Sequence, residues 1–241
     1  MEKLMETLLT LVDELDAKSA SKIRSQLESL ESVYPFNEYE FLLTNLLGLG
    51  KLDLENYFEL RGEYLTRNQY LYVFEISAPR GFGETWAQGH LKEIAPKLQK
   101  PTKKLDPEYS GEYDFYLNNI IKIEVKASRA VDFDSPEPLY VKALSSDSKE
   151  KFDMNFQQVK PACCEVFVWI GVWRDKIRYW ILSSDEVATN KYYSTGQHRG
   201  NEGEGQIHLK ESNIDEFSKY ESSVENIVRD IESAYKRQNK K

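Results

Sequence analysis

The stretch Gly111-Glu-Tyr-Asp-Phe-Tyr-Leu-Asn-Asn-Ile-Ile-Lys-Ile-Glu-Val-Lys126 decides how this chain is read. Tyr113, Phe115, Leu117, Ile121, Ile123 and Val125 are apolar, and Asp114, Tyr116, Lys122, Glu124 and Lys126 alternate with them. Side chains of a strand alternate faces, so the pattern predicts two strands joined by a turn around Asn118-Asn119, with one apolar face and one charged face. Register decides which charges meet. If Leu117 pairs with Ile121, the loop is Asn118, Asn119 and Ile120, and Asp114 stands opposite Glu124 on the face that carries Lys126. A two-residue Asn-Asn turn would instead pair Asp114 with Ile123 and turn Glu124 to the other face. The odd-length loop, or a bulge with the same effect, is the expected solution.

Cross-strand neighbours lie about 5 Å apart, so Asp114 and Glu124 can hold one Mg²⁺, a cation usually bound by one or two carboxylates plus water and phosphate oxygens. Lys126, two residues on, can orient an attacking water or offset negative charge developing on phosphorus. An acid on one strand followed by acid–x–lysine on the next resembles the active site of the PD-(D/E)XK nuclease superfamily, which includes the type II restriction endonucleases. The proline of the family name is absent, since Tyr113 precedes Asp114.

The resemblance implies an α/β fold, a restriction-endonuclease-like α/β/α core with a mixed central sheet. It also implies Asp114, Glu124 and Lys126 as catalytic residues, and Asp114, Glu124 and the backbone carbonyl of Val125 as ligands of Mg²⁺. Ser128 and Arg129, directly after the second strand, become contacts to the scissile phosphate. Members of the family often carry an acid on the helix before the hairpin; Glu84 is the candidate, with Glu93 behind it.

The elements around the hairpin fit that order from about residue 70 to 183. Tyr70–Ile76 reads as β-rich, and after the breaker Pro79-Arg-Gly-Phe-Gly83 a helix runs from Glu84 to about Ala95. A helix over 149–160 is expected to carry Gln157, Gln158 and Lys160 on a solvated face. Val166–Trp173 is apolar on both faces, as a central buried strand requires, and Asp175-Lys176 turns it into a strand over Ile177–Leu182. Upstream, residues 1–50 form a helical segment packed on the core or at a dimer contact, and 51–241 form the nuclease core with its C-terminal helix. Leu4, Leu8, Leu11, Val12 and Leu15 make one helical stripe; Ile23, Leu27 and Leu30 make a second, capped by Ser19 or Ser21. A third helix starts at the capping-box spacing Asn37-Glu-Tyr-Glu40 and ends near Gly48 or Gly50. Val224, Ile227, Val228, Ile231 and Tyr235 share one face of the last helix.

The net charge of −8 and pI of about 5.2 argue against an all-round nucleic-acid coat, yet leave room for a local basic cleft. The polar, glycine-rich segment 189–205 places Lys191, Gln197, His198 and Arg199 where groove contacts to DNA are expected. Two adjacent cysteines, Cys163-Cys164, are too few for a disulfide scaffold and read as small core residues. No apolar run approaches the roughly 20 residues of a membrane span, and the acidic residues of Met1-Glu-Lys-Leu-Met-Glu do not suit a secretory signal. A cytoplasmic location is therefore expected. P-loop, GxGxxG and HExxH patterns are absent, and His90, His198 and His208 lack zinc-ligand spacing.

The expected activity is Mg²⁺-dependent, sequence-specific cleavage of double-stranded DNA, as by a type II restriction enzyme acting as a homodimer on a palindromic target. The alternatives are a repair or recombination nuclease of the same fold, or a DNA-binding module that does not cut.

Overall fold

The computed structural model describes residues 2–30, 35–195 and 204–239. Its organising unit is the hairpin of β1 (Phe115–Leu117) and β2 (Ile121–Arg129). Leu117 pairs with Ile121, Tyr116 with Lys122 and Phe115 with Ile123, leaving Asn118, Asn119 and Ile120 as the loop. Asn118 and Asn119 sit at φ 54° and 57°, left-handed values that asparagine tolerates better than most residues. The Tyr116 hydroxyl donates to the Asn119 carbonyl at 2.7 Å and closes the turn.

After the hairpin come β3 (Asp153–Val159), β4 (Val166–Val172) and β5 (Ile177–Ser183), then α6 (Ser184–Ala188), β6 (Tyr193–Thr195), β7 (Gly205–Lys210) and β8 (Glu221–Ser222). The main sheet has five strands in the order β1-β2-β4-β5-β8; β2 and β4 run parallel and the other pairs antiparallel. Every residue of β4 is buried, matching its unbroken apolar run. Trp173 donates its N–H to the Lys176 carbonyl at 2.8 Å, and the chain turns there into β5 as expected.

The two faces of this sheet are covered differently. Ile123, Val125, Val168 and Ile170 pack against helices, chiefly α5 (Gln88–Ile94) through Leu91 and α7 (Ile227–Gln238) through Ile227 and Ile231. Phe167, Trp169, Trp180 and Leu182, on the other face, pack against Met154, Phe156, Ile207 and Leu209 of a second sheet. That sheet has three antiparallel strands in the order β3-β7-β6. The chain is thus α/β with a mixed central sheet and an N-terminal helical segment. Helices on both faces were expected, whereas a small sheet covers the second face.

The difference traces to 149–160, where a strand replaces the expected helix. Met154 pairs with Leu209 and Phe156 with Ile207, and the ladder then slips, so that Val159 rather than Gln158 faces Gly205. This bulge at Gln157-Gln158 breaks the alternation and leaves Phe152, Phe156 and Val159 at i, i+4, i+7, a spacing that mimics a helix. Tyr70–Ile76 departs in the opposite sense: Leu71–Glu75 is a 3₁₀ turn, not a strand. Its carbonyls find a side chain instead of a neighbouring strand, since Arg129 Nη1 donates to Val73 O (3.1 Å) and Ile76 O (2.8 Å).

Upstream, α1 (Glu2–Asp13), α2 (Ala17–Glu28), α3 (Pro35–Gly48) and α4 (Leu54–Arg67) enclose a core of their own around Leu8, Ile23, Tyr39, Leu42 and Tyr64. Asp16 caps α2 in place of the expected serines, and α3 begins at Pro35, ahead of the Asn37 capping box. The helical layer continues past residue 50, because α4 packs on α3.

Gly171 on β4 is closely covered by Trp180 of its own sheet and by Met154 of the second sheet. A Cβ there would lie 2.7 Å from the Trp180 ring and 3.0 Å from Met154 Sδ. Gly171→Ala is expected to cost about 1–3 kcal/mol through overpacking, seen as a lower urea midpoint at unchanged slope. An unchanged midpoint would mean that the Trp180 ring and the Met154 side chain give way without penalty.

Candidate active site

The hairpin brings the acids together. Asp114 lies just before β1, and its backbone N–H donates to the Ile123 carbonyl at 2.9 Å, so that Asp114 and Phe115 both stand against Ile123 and the ladder slips by one residue there. The Asp114 and Glu124 side chains nevertheless meet within hydrogen-bonding reach. Its Oδ2 accepts the Val125 N–H at 2.8 Å, and its Oδ1 accepts the side-chain amide of Gln88. N–H and C=O of a strand residue point to the same side, so the Val125 carbonyl leaves β2 on the edge where Asp114 sits. Glu124 Oε1 lies 2.8 Å from Lys126 Nζ, with the two side chains only 14% and 17% exposed.

Burial dominates the electrostatics. It pushes the Glu124 carboxyl up to about 7; the neighbouring Asp114 adds to the rise and Lys126 opposes it. Asp114 is also raised by burial, against the pull of the Val125 N–H, Lys126 and Lys100. Lys100 enters from the strand side of the site: Gln99 bridges to Tyr116, and the Lys100 ammonium lies 4.3 Å from the centre of the Phe115 ring and donates to Gln88 Oε1. Burial lowers its pKa while Asp114 and Glu124 hold it up. Gln88 and Lys100 escaped the sequence reading. Gln88 falls one helical turn after Glu84, so following that helix face by four residues would have found it.

These groups line an open cleft of about 960 Å³. One wall is the wide π-helical segment Gly81–Ala87 that leads into α5, with Phe82, Gly83 and Glu84 on the cleft; the other is β3, with Asp153, Asn155, Gln157 and Gln158. Such π turns occur frequently at functional sites.

The expected residues separate into three groups. Asp114, Glu124, Val125 and Lys126 converge, and Ser128, on the same face of β2, lines the cleft with them. Arg129 also borders the cleft, but it is held as a clamp. Besides bonding Val73 and Ile76 its guanidinium lies 4.1 Å from the centre of the Phe82 ring, and burial lowers its pKa to about 10. Glu84 pairs with Arg80 at 2.9 Å and stays 59% exposed, while Glu93 is exposed on α5 outside the cleft lining. Lys191 pairs with Glu216 in a separate pocket. Gln197, His198 and Arg199 lie outside the described residues.

The donor set suits a small hard cation. Two carboxylates and one carbonyl supply oxygen only, which fits Mg²⁺ because that ion keeps several waters. Among the described residues no cluster of three or more His, Cys, Asp or Glu side chains offers a full protein cage. Thiol and imidazole lie elsewhere: Cys163 and Cys164 are buried and free beside a small separate cavity, and His90 Nε2 is 2.7 Å from the Tyr179 hydroxyl.

No protein-family model and no curated protein matches this chain. Among the described residues no helix is long and apolar enough to cross a membrane.

Proposed function

We propose that this chain is a Mg²⁺-dependent endonuclease of the PD-(D/E)XK type that cuts double-stranded DNA at specific sequences, as type II restriction enzymes do. The observation that carries the reading is the convergence of side chains at the hairpin. Asp114 meets Glu124, with Lys126 beside Glu124 and the Val125 carbonyl on the Asp114 edge, all at an open cleft.

Bound Mg²⁺ would supply Lewis-acid stabilisation of the phosphate and lower the pKa of water. Asp114, Glu124 and the Val125 carbonyl hold the cation. The Val125 N–H and Gln88 fix the Asp114 carboxylate in place, so binding the cation requires little rearrangement of that side chain. Lys126 positions the attacking water by hydrogen bonding and offsets charge on phosphorus, and Lys100 adds a second cation at the same acids. At the rim, Arg80 with a side chain 84% exposed, together with Ser128, offers donors for backbone phosphates. These local cations answer the acidic average of the chain, since steering depends on the field at the cleft. Cutting both strands with one site per chain calls for two copies on the duplex.

The test is digestion of defined plasmid and phage DNA by purified protein in Mg²⁺ and in EDTA, with sedimentation of the DNA complex to count the copies. Discrete Mg²⁺-dependent fragments are expected. Intact DNA across varied sequences and divalent metals would refute the nuclease reading. Fragments made by one copy per duplex would remove the dimer.

A further inference from the structure

The bulge in β3 puts two amides where the strand pattern would not. Phe156 and Val159 are buried in the contact between the sheets, and the two residues between them, Gln157 and Gln158, are exposed. The ladder to β7 slips across this pair, and Gln158 takes φ 53°, a left-handed backbone that a residue with a long side chain rarely adopts. Bulges next to active sites commonly re-aim side chains. Both glutamines here line the same cleft as Asp114, Glu124 and Lys126. Among the described residues neither amide has a hydrogen-bond partner. Asn155, on the same wall, also keeps a buried Oδ1 without one.

We infer that Gln157 and Gln158 read the sequence of the bound duplex, through contact of a carboxamide with an adenine edge in the major groove. This inference rests on the nuclease reading and assigns its specificity. A carboxamide has a donor and an acceptor side by side, and it matches the N6 donor and N7 acceptor of adenine in a bidentate pair. Sheets as well as helices read DNA by laying strands in a groove, and β3 presents the bulge as an edge strand of its three-stranded sheet. Neither glutamine is in the first group of metal and phosphate contacts, so each can be removed without touching the chemistry.

The test is cleavage of a duplex library with randomised sequence, followed by sequencing of the ends, for the wild type, Gln157→Ala, Gln158→Gly and the double variant. Glycine is the choice at 158 because it accepts a positive φ without strain. The wild type is expected to select adenine at one or two positions. The double variant should keep Mg²⁺-dependent cleavage while losing about 10- to 100-fold of that selection, the discrimination one bidentate contact supplies. Gln157→Ala and Gln158→Gly should each lose part of it. A double variant that cuts with the wild-type consensus would overturn the inference and leave the nuclease reading standing. So would a wild type whose ends are random in sequence. A wild type that makes no ends overturns both. A double variant that melts with the wild type yet no longer cuts would assign the amides to catalysis or general binding, and would likewise overturn it.

Discussion

Lys126→Ala is expected to lower Mg²⁺-dependent DNA cleavage by about a thousandfold, the cost of removing one positioned electrostatic donor. Two effects contribute, and they can be separated. The ammonium proposed to orient water and offset charge on phosphorus is lost outright. In addition Glu124 loses the cation 2.8 Å away that opposes the burial-driven rise of its pKa, so the carboxyl holds its proton to higher pH. The second effect should fade as pH is raised through 8 to 9, while the first should persist. A pH–rate profile of the variant therefore reads both: a residual deficit at pH 9 measures the positioning role. Lys126→Arg keeps the charge with different geometry and should recover only part of the rate. Cleavage by Lys126→Ala at the wild-type rate would remove Lys126 from the mechanism.

The second large effect is on stability, and it runs against activity. The Glu124 carboxyl is raised from 4.5 to about 7 in the folded chain. A raised acid favours folding fully below its unfolded pKa, and that contribution disappears as pH climbs through the folded value. Between pH 5 and pH 8 in EDTA the wild type should therefore lose stability as this carboxyl is forced to ionise in a buried site. The shift corresponds to about 3 kcal/mol at most, and sharing of the proton with Asp114 reduces what one residue supplies. Glu124→Gln removes the ionisation altogether. It should raise the melting temperature at pH 8 in EDTA by several degrees, at about 2–4 °C per kcal/mol for a chain of this size, with little change at pH 5. Mg²⁺ should stabilise the wild type at pH 8 by mass action and the variant far less, and the variant should not cleave DNA. Scanning calorimetry at the two pH values, with and without Mg²⁺, decides it. A Glu124→Gln variant less stable than wild type at pH 8 in EDTA would mean that the acids are held by their ion pairs more than they are strained by burial.

The residues that converge in the cleft differ in how they could be found. Asp114, Glu124 and Lys126 were legible because strand parity is a local property. With a loop of odd length the two strands must present them on one face, and Asn118-Asn119 has the backbone tolerance that such a loop demands. Gln88 and Lys100 belong to segments that reach the hairpin only when the helix and the bridge at Gln99 close over it. Arg129 adjoined the triplet in sequence, yet its guanidinium turned to the carbonyls of Val73 and Ile76, partners more than fifty residues away.

The same division holds for the fold. Alternation over 113–126, the unbroken apolar run of β4 and the stripe of α7 each follow from a period within one segment, so the sequence by itself determined the hairpin, the central strand and the last helix. What covers the second face of the sheet was decided in three dimensions. Residues 153–159 became a strand because β7, some fifty residues on, offers Ile207 and Leu209 as partners, and the bulge at Gln157-Gln158 had hidden the period of two. Segment 70–76 gave up its β-prone composition because a guanidinium, and no free strand, met the carbonyls of Val73 and Ile76. Backbone groups must find partners wherever the chain is buried, and which partner is within reach is a property of the whole fold.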